Sequence, residues 1–372
     1  MEFAAHASVQ AIAPADWDAC FPGDPEGWAY HRAVEDAGLP GFAVLAFEVR
    51  RDGRVVLVAP AFTTEYRLDT TVQGTLKRLL APFTGLLTLR LLCLGSHAAD
   101  KCHLGFAPGL GEQARAEALD TLLAGMDAFA AAHGIGLLAV KDLAESDATE
   151  AVLAGFKAAG FACQPSLPNA VLALPFADEE SYLASLSKAT RKDIRRKLKS
   201  EAGLRIELRR GAEALDRIDA MLELYERQRA RSGVDFEQFE QLNPAYFRNV
   251  LTGMGAAALV FFYWAGAELV GFNLCLAGEA RFIDKFIGLR EPQARAFDLY
   301  VVSWMTNLRY CLEHRIPLMQ TGQTAYAMKR RLGSALPPNW LLFRHRWRLF
   351  DRLLRLLGPL LAPDRWDEDI AP

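Results

Sequence analysis

The chain has no CxxC pair among its six cysteines, no GxGxxG, no GxxxxGK[ST] and no GxSxG. These absences remove the motif basis for a structural zinc knuckle, a classical dinucleotide fold, a P-loop and a serine-nucleophile elbow. Cys102 and His103 are adjacent, but no second ligand pair sits at zinc spacing, so no metal is expected. The longest apolar stretch, Gly255–Ala267, is too short for a bilayer span of about 20 residues. The start of the sequence shows neither a basic region nor a long apolar segment, so no signal peptide is expected, and the thiols read as reduced in a cytoplasm. Charge of one sign is also scarce overall. The net charge is -3, with 51% hydrophobic residues, which fits a folded globular chain and argues against a DNA-binding protein.

Against that near-neutral background one segment stands out. Seven of the twelve residues from Lys188 to Lys199 are Lys or Arg, opposed only by Asp193. Asp178 is a suitable N-cap for a helix over 178–200. Leu183, Leu186, Thr190, Ile194 and Leu198 give it one packing face, leaving the basic faces for solvent or an anion.

The order of elements is written twice. Residues 41–62 read as a hairpin turning at Asp52-Gly53, followed by a strand, a long helix closed by Gly134, a strand, a helix and a last strand ending at Phe176. Residues 257–278 read as a hairpin turning near Ala265-Gly266, followed by the same series and a last strand near 339–347. Both long helices open on Gln-Ala-Arg-Ala, at 113–116 and 293–296, and close on His133 and His314, before Ile135 and Ile316. The pattern is a duplicated mixed α/β sandwich, with units at 1–176 and 177–346 and a tail at 347–372. In that tail Trp347, Leu349, Phe350, Leu353, Leu354, Leu356 and Leu357 alternate with arginines. It predicts an amphipathic helix over 347–362, either docked on its own domain or in peripheral contact with a membrane surface, with a frayed end from Asp364.

Several residues carry chemistry-bearing groups. Asp284 and Lys285 interrupt an apolar strand and, by alternation, face opposite sides; Asp284 toward a cleft would orient or deprotonate an amine, with Lys285 beside the substrate. Gln320 and Gln323 flank Gly322 at a strand end, placed either to bind polar substrate groups or simply to turn the chain. Arg290, Gln293, Arg295 and Phe297 bracket the approach to the second long helix. Lys329, Arg330 and Arg331 sit on a short helix, and both groups are suited to a phosphorylated donor.

The segments YLASLSKATRKDIRRKLKS, LYERQRARSG, AELVGFNLCL and QTAYAMKRRLG together resemble the FemAB-like and CelD-like branch of the GNAT acyltransferase superfamily. The resemblance covers most of the chain and is most specific from Tyr182 to Arg346. It implies two tandem GNAT-like mixed α/β sandwich domains, the second one catalytic. It also implies transfer of an acyl group from acyl-CoA to an amine by direct attack. Tyr326 would then be the acid toward the leaving group, a phenol of pKa ~10 being a suitable donor, and Asp284 the base. The pyrophosphate-gripping [QR]xxGx[GA] of coenzyme A enzymes is replaced here by GLREPQARAF, with one glycine. The Fem-type alternative therefore stands beside it: an aminoacyl-tRNA donor and an amine on a small molecule or cell-envelope precursor. A non-catalytic pair with a binding role is the third reading. The expected location is cytoplasmic, at most membrane-peripheral.

Overall fold

The computed structural model describes residues 1–67, 88–232 and 241–358. The sequence also predicts a helix from Ala212 that stops near Gly233; that stop and the frayed end from Asp364 lie outside the described residues. Fourteen strands are described: β1 (Glu2–His6), β2 (Phe42–Arg51), β3 (Arg54–Arg67), β4 (Thr88–Leu94), β5 (Gly105–Phe106), β6 (Leu137–Ala144), β7 (Ala162–Ser166), β8 (Val171–Ala173), β9 (Arg205–Arg210), β10 (Ala258–Ala265), β11 (Glu268–Ala277), β12 (Phe282–Leu289), β13 (Leu318–Gln320) and β14 (Asn339–His345). They form two mixed sheets. The first runs β1-β2-β3-β4-β6-β14-β7, with β5 on β3; the second runs β8-β13-β12-β11-β10-β9. Each contains one parallel pair, β4 with β6 and β12 with β13, joined through a long helix. A mixed α/β architecture with its element series written twice is thus what the sequence pattern predicts and the structure has.

Local chemistry accounts for the repeated pieces. Asp52 and Gly53 both take positive φ, as the two central residues of a type I′ hairpin turn do. The helices Glu112–Ala132 and Leu299–Glu313 end alike. His133 stacks on Phe129 at 4.0 Å and His314 on Tyr310 at 3.9 Å, and each Nδ1 lies within 2.9 Å of the carbonyl of that same aromatic residue. The N–H groups of Ile135 and Ile316 then return to Ala130 and Cys311 at 2.8 and 2.9 Å. Two copies of one cap, down to the ring stacking, support duplication more strongly than the four-residue identity does. At their starts the two helices differ. Gln293–Ala296 is a separate turn, and Asp298 (φ 48) breaks the chain before Leu299.

The last strand of each half crosses over. β8, from the first half, pairs with β13; β14, from the second, lies between β6 and β7. A cut at 176/177 therefore does not separate the sheets. β7 carries Pro165 without loss because it is an edge strand. The basic segment is two helices rather than one. Glu179–Ser185 is capped by Asp178, Leu186 turns extended, and Ser187 caps Lys188–Lys197 by accepting from the Thr190 N–H at 3.1 Å. Thr190 and Ile194 keep the packing role the spacing predicts.

Candidate active site

The first two residues of β12 pair with β13, Phe282 with Met319 and Ile283 with Gln320; β13 then ends while β12 continues. Asp284 is the first residue beyond the pairing, at the point where the strands part. The buried amides of Asn273 on β11 and Asn307 on the helix Leu299–Glu313 donate to its two oxygens at 2.6 and 3.2 Å, and Asn307 also donates to Asn273 Oδ1 at 2.8 Å. Burial raises the Asp284 carboxyl above the usual range, and Asn273, Lys329 and Asn307 only partly oppose it.

Near enough to act on it electrostatically is a lysine whose environment the sequence did not indicate. Lys329 is buried, at 5% exposure, and donates to the carbonyls of Thr321 and Gly322 just past the end of β13. Burial brings its ammonium down to about 8, although Asp284 and Asp100 favour the charged form. The loop that positions it is strained. Thr324 (φ 90) and Ala325 (φ 51), neither a glycine, occupy the left-handed side of the map, at a cost of about 1–3 kcal/mol each. Such strain persists only where the surrounding structure enforces it.

The other expected residues separate into distinct environments. Tyr326 is buried and its hydroxyl donates to the Pro168 carbonyl at 2.9 Å, so the proton expected for a leaving group is directed at backbone. Gln320 accepts from Arg281 at 2.7 Å, and Gln323 donates to Asp142 and to the Leu167 carbonyl at 3.1 and 3.0 Å, both within the protein framework. Lys285 points away from Asp284, as alternation predicts, and donates to Glu26 Oε1 at 2.7 Å. Burial opposes its charge, yet Glu26 and Asp100 raise its pKa. Beside it Arg281 holds both oxygens of Asp24 at 2.6 and 2.8 Å. Burial would raise the Asp24 and Glu26 carboxyls; His103 with Arg281 and Lys285 respectively hold them below their usual range. Asp24, Glu26 and His103 form a group of metal-ligand type, with donor atoms within 4.8 Å of one another. Its carboxylates are already matched by Arg281 and Lys285, which leaves little net negative charge to attract a divalent ion.

Six residues beyond Asp284, about 20 Å along an extended strand, lies the loop expected to bind a donor's phosphates. Arg290 is engaged by the Leu269 carbonyl at 3.0 Å and by Glu223 and Glu268. Arg295 is exposed beside Glu291, and half-buried Phe297 packs toward Gly203. Gln293 is half-buried, with its side-chain oxygen Oε1 unpaired. Asp298 occupies the N-cap position of the long helix, with no side-chain bond to the helix amides, and brings a negative charge to the turn where a pyrophosphate would need donors. Arg330 is exposed, and Arg331 pairs with Asp193 at 2.9 Å, joining the short helix Tyr326–Arg331 to the basic helix Lys188–Lys197.

The central residues missed at the sequence level are Asn273, Asn307 and the first-half carboxylates. Asn273 and Asn307 did leave a trace, as lone amides in apolar runs. Nothing local marked Asp24 or Glu26 as partners of residues more than 250 positions away.

No curated protein matches the chain in sequence. Among solved structures it is similar to FemX, at 15% identity and a TM-score of 0.63, covering 92% of this chain and 97% of that one. It is also similar to the C-terminal domain of a putative lysylphosphatidylglycerol synthetase from Agrobacterium fabrum, at 13% identity and a TM-score of 0.54, covering 91% and 96%. Residues 107–341 match the FemAB-like family, described as peptidoglycan biosynthesis/recognition, a match over more than half of the sequence. The chain belongs to the FemAB-like family.

Proposed function

We propose that the protein is an aminoacyltransferase that joins an aminoacyl group to an amine of a cell-wall precursor, with aminoacyl-tRNA as donor. The observation that carries the reading is the opposed pair at the strand parting, a carboxyl raised by burial and an ammonium lowered to about 8. Two groups tuned toward neutrality are suited to moving protons at physiological pH. Asp284 takes a proton from the attacking ammonium. The free amine attacks the ester carbonyl carbon, the C–N bond forms, the nitrogen sheds its second proton to solvent, and the C–O bond to the ribose breaks. Lys329 donates its proton to the departing oxygen and is restored from solvent. Lys329 thus replaces Tyr326 as the acid.

The choice of tRNA over acyl-CoA rests on charge. The cations of the Arg290–Phe297 loop face Glu223, Glu268 and Glu291, and Asp298 adds a further negative charge at the N-cap position of the helix they approach. By contrast Lys188, Lys192, Lys199 and Arg330 are exposed on the basic helix, its extension and the adjoining short helix. A backbone of phosphates spans such a surface; a single pyrophosphate does not need one. The test is amide formation from labelled aminoacyl-tRNA and a muropeptide precursor, run beside thiol release from acyl-CoAs. The reading requires product that disappears after RNase treatment. Thiol release without tRNA would restore the coenzyme reading, and binding of precursor without turnover of either donor would favour a non-catalytic role.

A further inference from the structure

The terminal helix Arg348–Leu357 presents two apolar sides, and the described residues cover only one. Phe350 and Leu354 turn inward, Leu354 onto the cluster of Phe62, Leu91 and Leu137 on the first sheet and Phe350 beside His345. Trp347, Leu349, Leu353 and Leu356 are 68, 78, 48 and 75% exposed. They are four of the five exposed large hydrophobics among the described residues. Leu349, Leu353 and Leu356 fall within about 60° of one another around the helix, and Arg352 and Arg348 lie about 40° and 80° to one side of Leu356.

The helix cannot roll to hide this face. Asp351 accepts from the His345 N–H at 2.9 Å and, within the helix, from Arg355 at 2.6 Å, and Arg355 reaches the Gly160 carbonyl, so the inward side is tied to the rest of the protein at two points. Asp351 is the helix's one acidic residue, and its carboxylate is held by these inward bonds, away from the exposed leucines. Arg346, Arg348 and Arg352 are exposed along the outer side.

We propose that this helix docks the protein on an anionic bilayer, lying in the headgroup layer with Trp347, Leu349, Leu353 and Leu356 inserted and Arg346, Arg348 and Arg352 among lipid phosphates. An apolar stripe edged by arginines and carrying an interfacial tryptophan is the composition of a membrane-surface helix. Charge decides between this occupant and a second copy of the chain. An isologous contact would set the arginines of one copy against those of the other, whereas an anionic surface attracts all of them. No helix among the described residues is long and apolar enough to cross a membrane, so the contact is with one leaflet.

The test is co-sedimentation of the full chain with vesicles of phosphatidylcholine containing phosphatidylglycerol, and with phosphatidylcholine alone. The wild-type chain pellets with the anionic vesicles and less as salt rises. Leu349→Glu with Leu353→Glu lowers the partition coefficient about tenfold or more. Arg348→Gln with Arg352→Gln weakens binding to anionic vesicles and flattens the salt dependence. Circular dichroism and melting temperature stay at wild-type values, because the substituted side chains are exposed. Light scattering reports a monomer throughout. Absence of wild-type pelleting, equal pelleting of the Leu349→Glu/Leu353→Glu chain, or a dimer that this variant dissolves would each overturn the proposal.

Discussion

Asp284 and Lys285 are neighbours in sequence and stand on opposite faces of one strand, yet their surroundings are opposites. Beneath Lys285 each cation has a counter-charge at hydrogen-bond distance: Lys285 with Glu26 and Arg281 with Asp24. There the charged forms are favoured despite burial. Around Asp284 the partners are amides and carbonyls, and both the carboxyl and Lys329 are pushed toward their neutral forms. The first face is cement between the halves. The second holds protons loosely, at a cost in stability. A matched buried pair fixes structure, whereas a mismatched one is poised for chemistry.

Four measurements would break or sharpen this contrast. The largest effect is expected at Lys329. Lys329→Met should lower single-turnover transfer by about 10²–10⁴-fold. In the wild-type chain, activity should fall on the alkaline side near pH 8, where the ammonium is lost. Stability supplies an independent check. The folded pKa of about 8 lies below the ordinary 10.5, so the unfolded chain binds more protons between those values. The penalty is full below about pH 8 and is relieved as pH rises toward 10.5, so wild type should gain roughly 3 kcal/mol on Lys329→Met across that window in urea unfolding. A flat difference would remove the poised-lysine reading.

Next is the cement. Glu26→Gln leaves Lys285 buried and unpaired and should destabilise by about 3–5 kcal/mol at neutral pH, with Glu26→Met/Lys285→Met recovering most of the loss. The depressed Glu26 carboxyl contributes its stability above the ordinary carboxylate pKa and loses it as pH falls through the folded value. The deficit of Glu26→Gln should therefore shrink in acid. An equally unstable double variant would mean that packing, rather than charge, matters there.

Asp284→Asn should reduce kcat by about 10²-fold while leaving melting nearly unchanged, and should erase the acid limb of the pH–rate profile. That limb lies above the normal carboxylate range because burial raises this group. Loss of stability in place of kcat would make Asp284 a framework residue like Lys285. The smallest effect belongs to the basic surface. Lys192→Gln with Lys199→Gln should raise the KM for aminoacyl-tRNA a few-fold and reduce the salt slope by about one per lysine. An unchanged slope would take the donor elsewhere.

Much of this was legible in the linear chain. Asp52-Gly53 specifies a hairpin because both residues tolerate positive φ, and β alternation alone sends Asp284 and Lys285 to opposite faces. The doubled series and the paired histidine caps likewise depend on local periodicity and short-range bonds, which any stretch of sequence carries within itself. What lies across from each face was decided by packing alone. That Lys285 meets Glu26 and that β14 inserts between β6 and β7 depend on contacts over 150 residues or more, and that Lys329 turns inward while Arg330 stays in solvent depends on how the short helix packs. The energy of a charge is set by what surrounds it, and around Lys285 and Arg281 those surroundings come from both halves together.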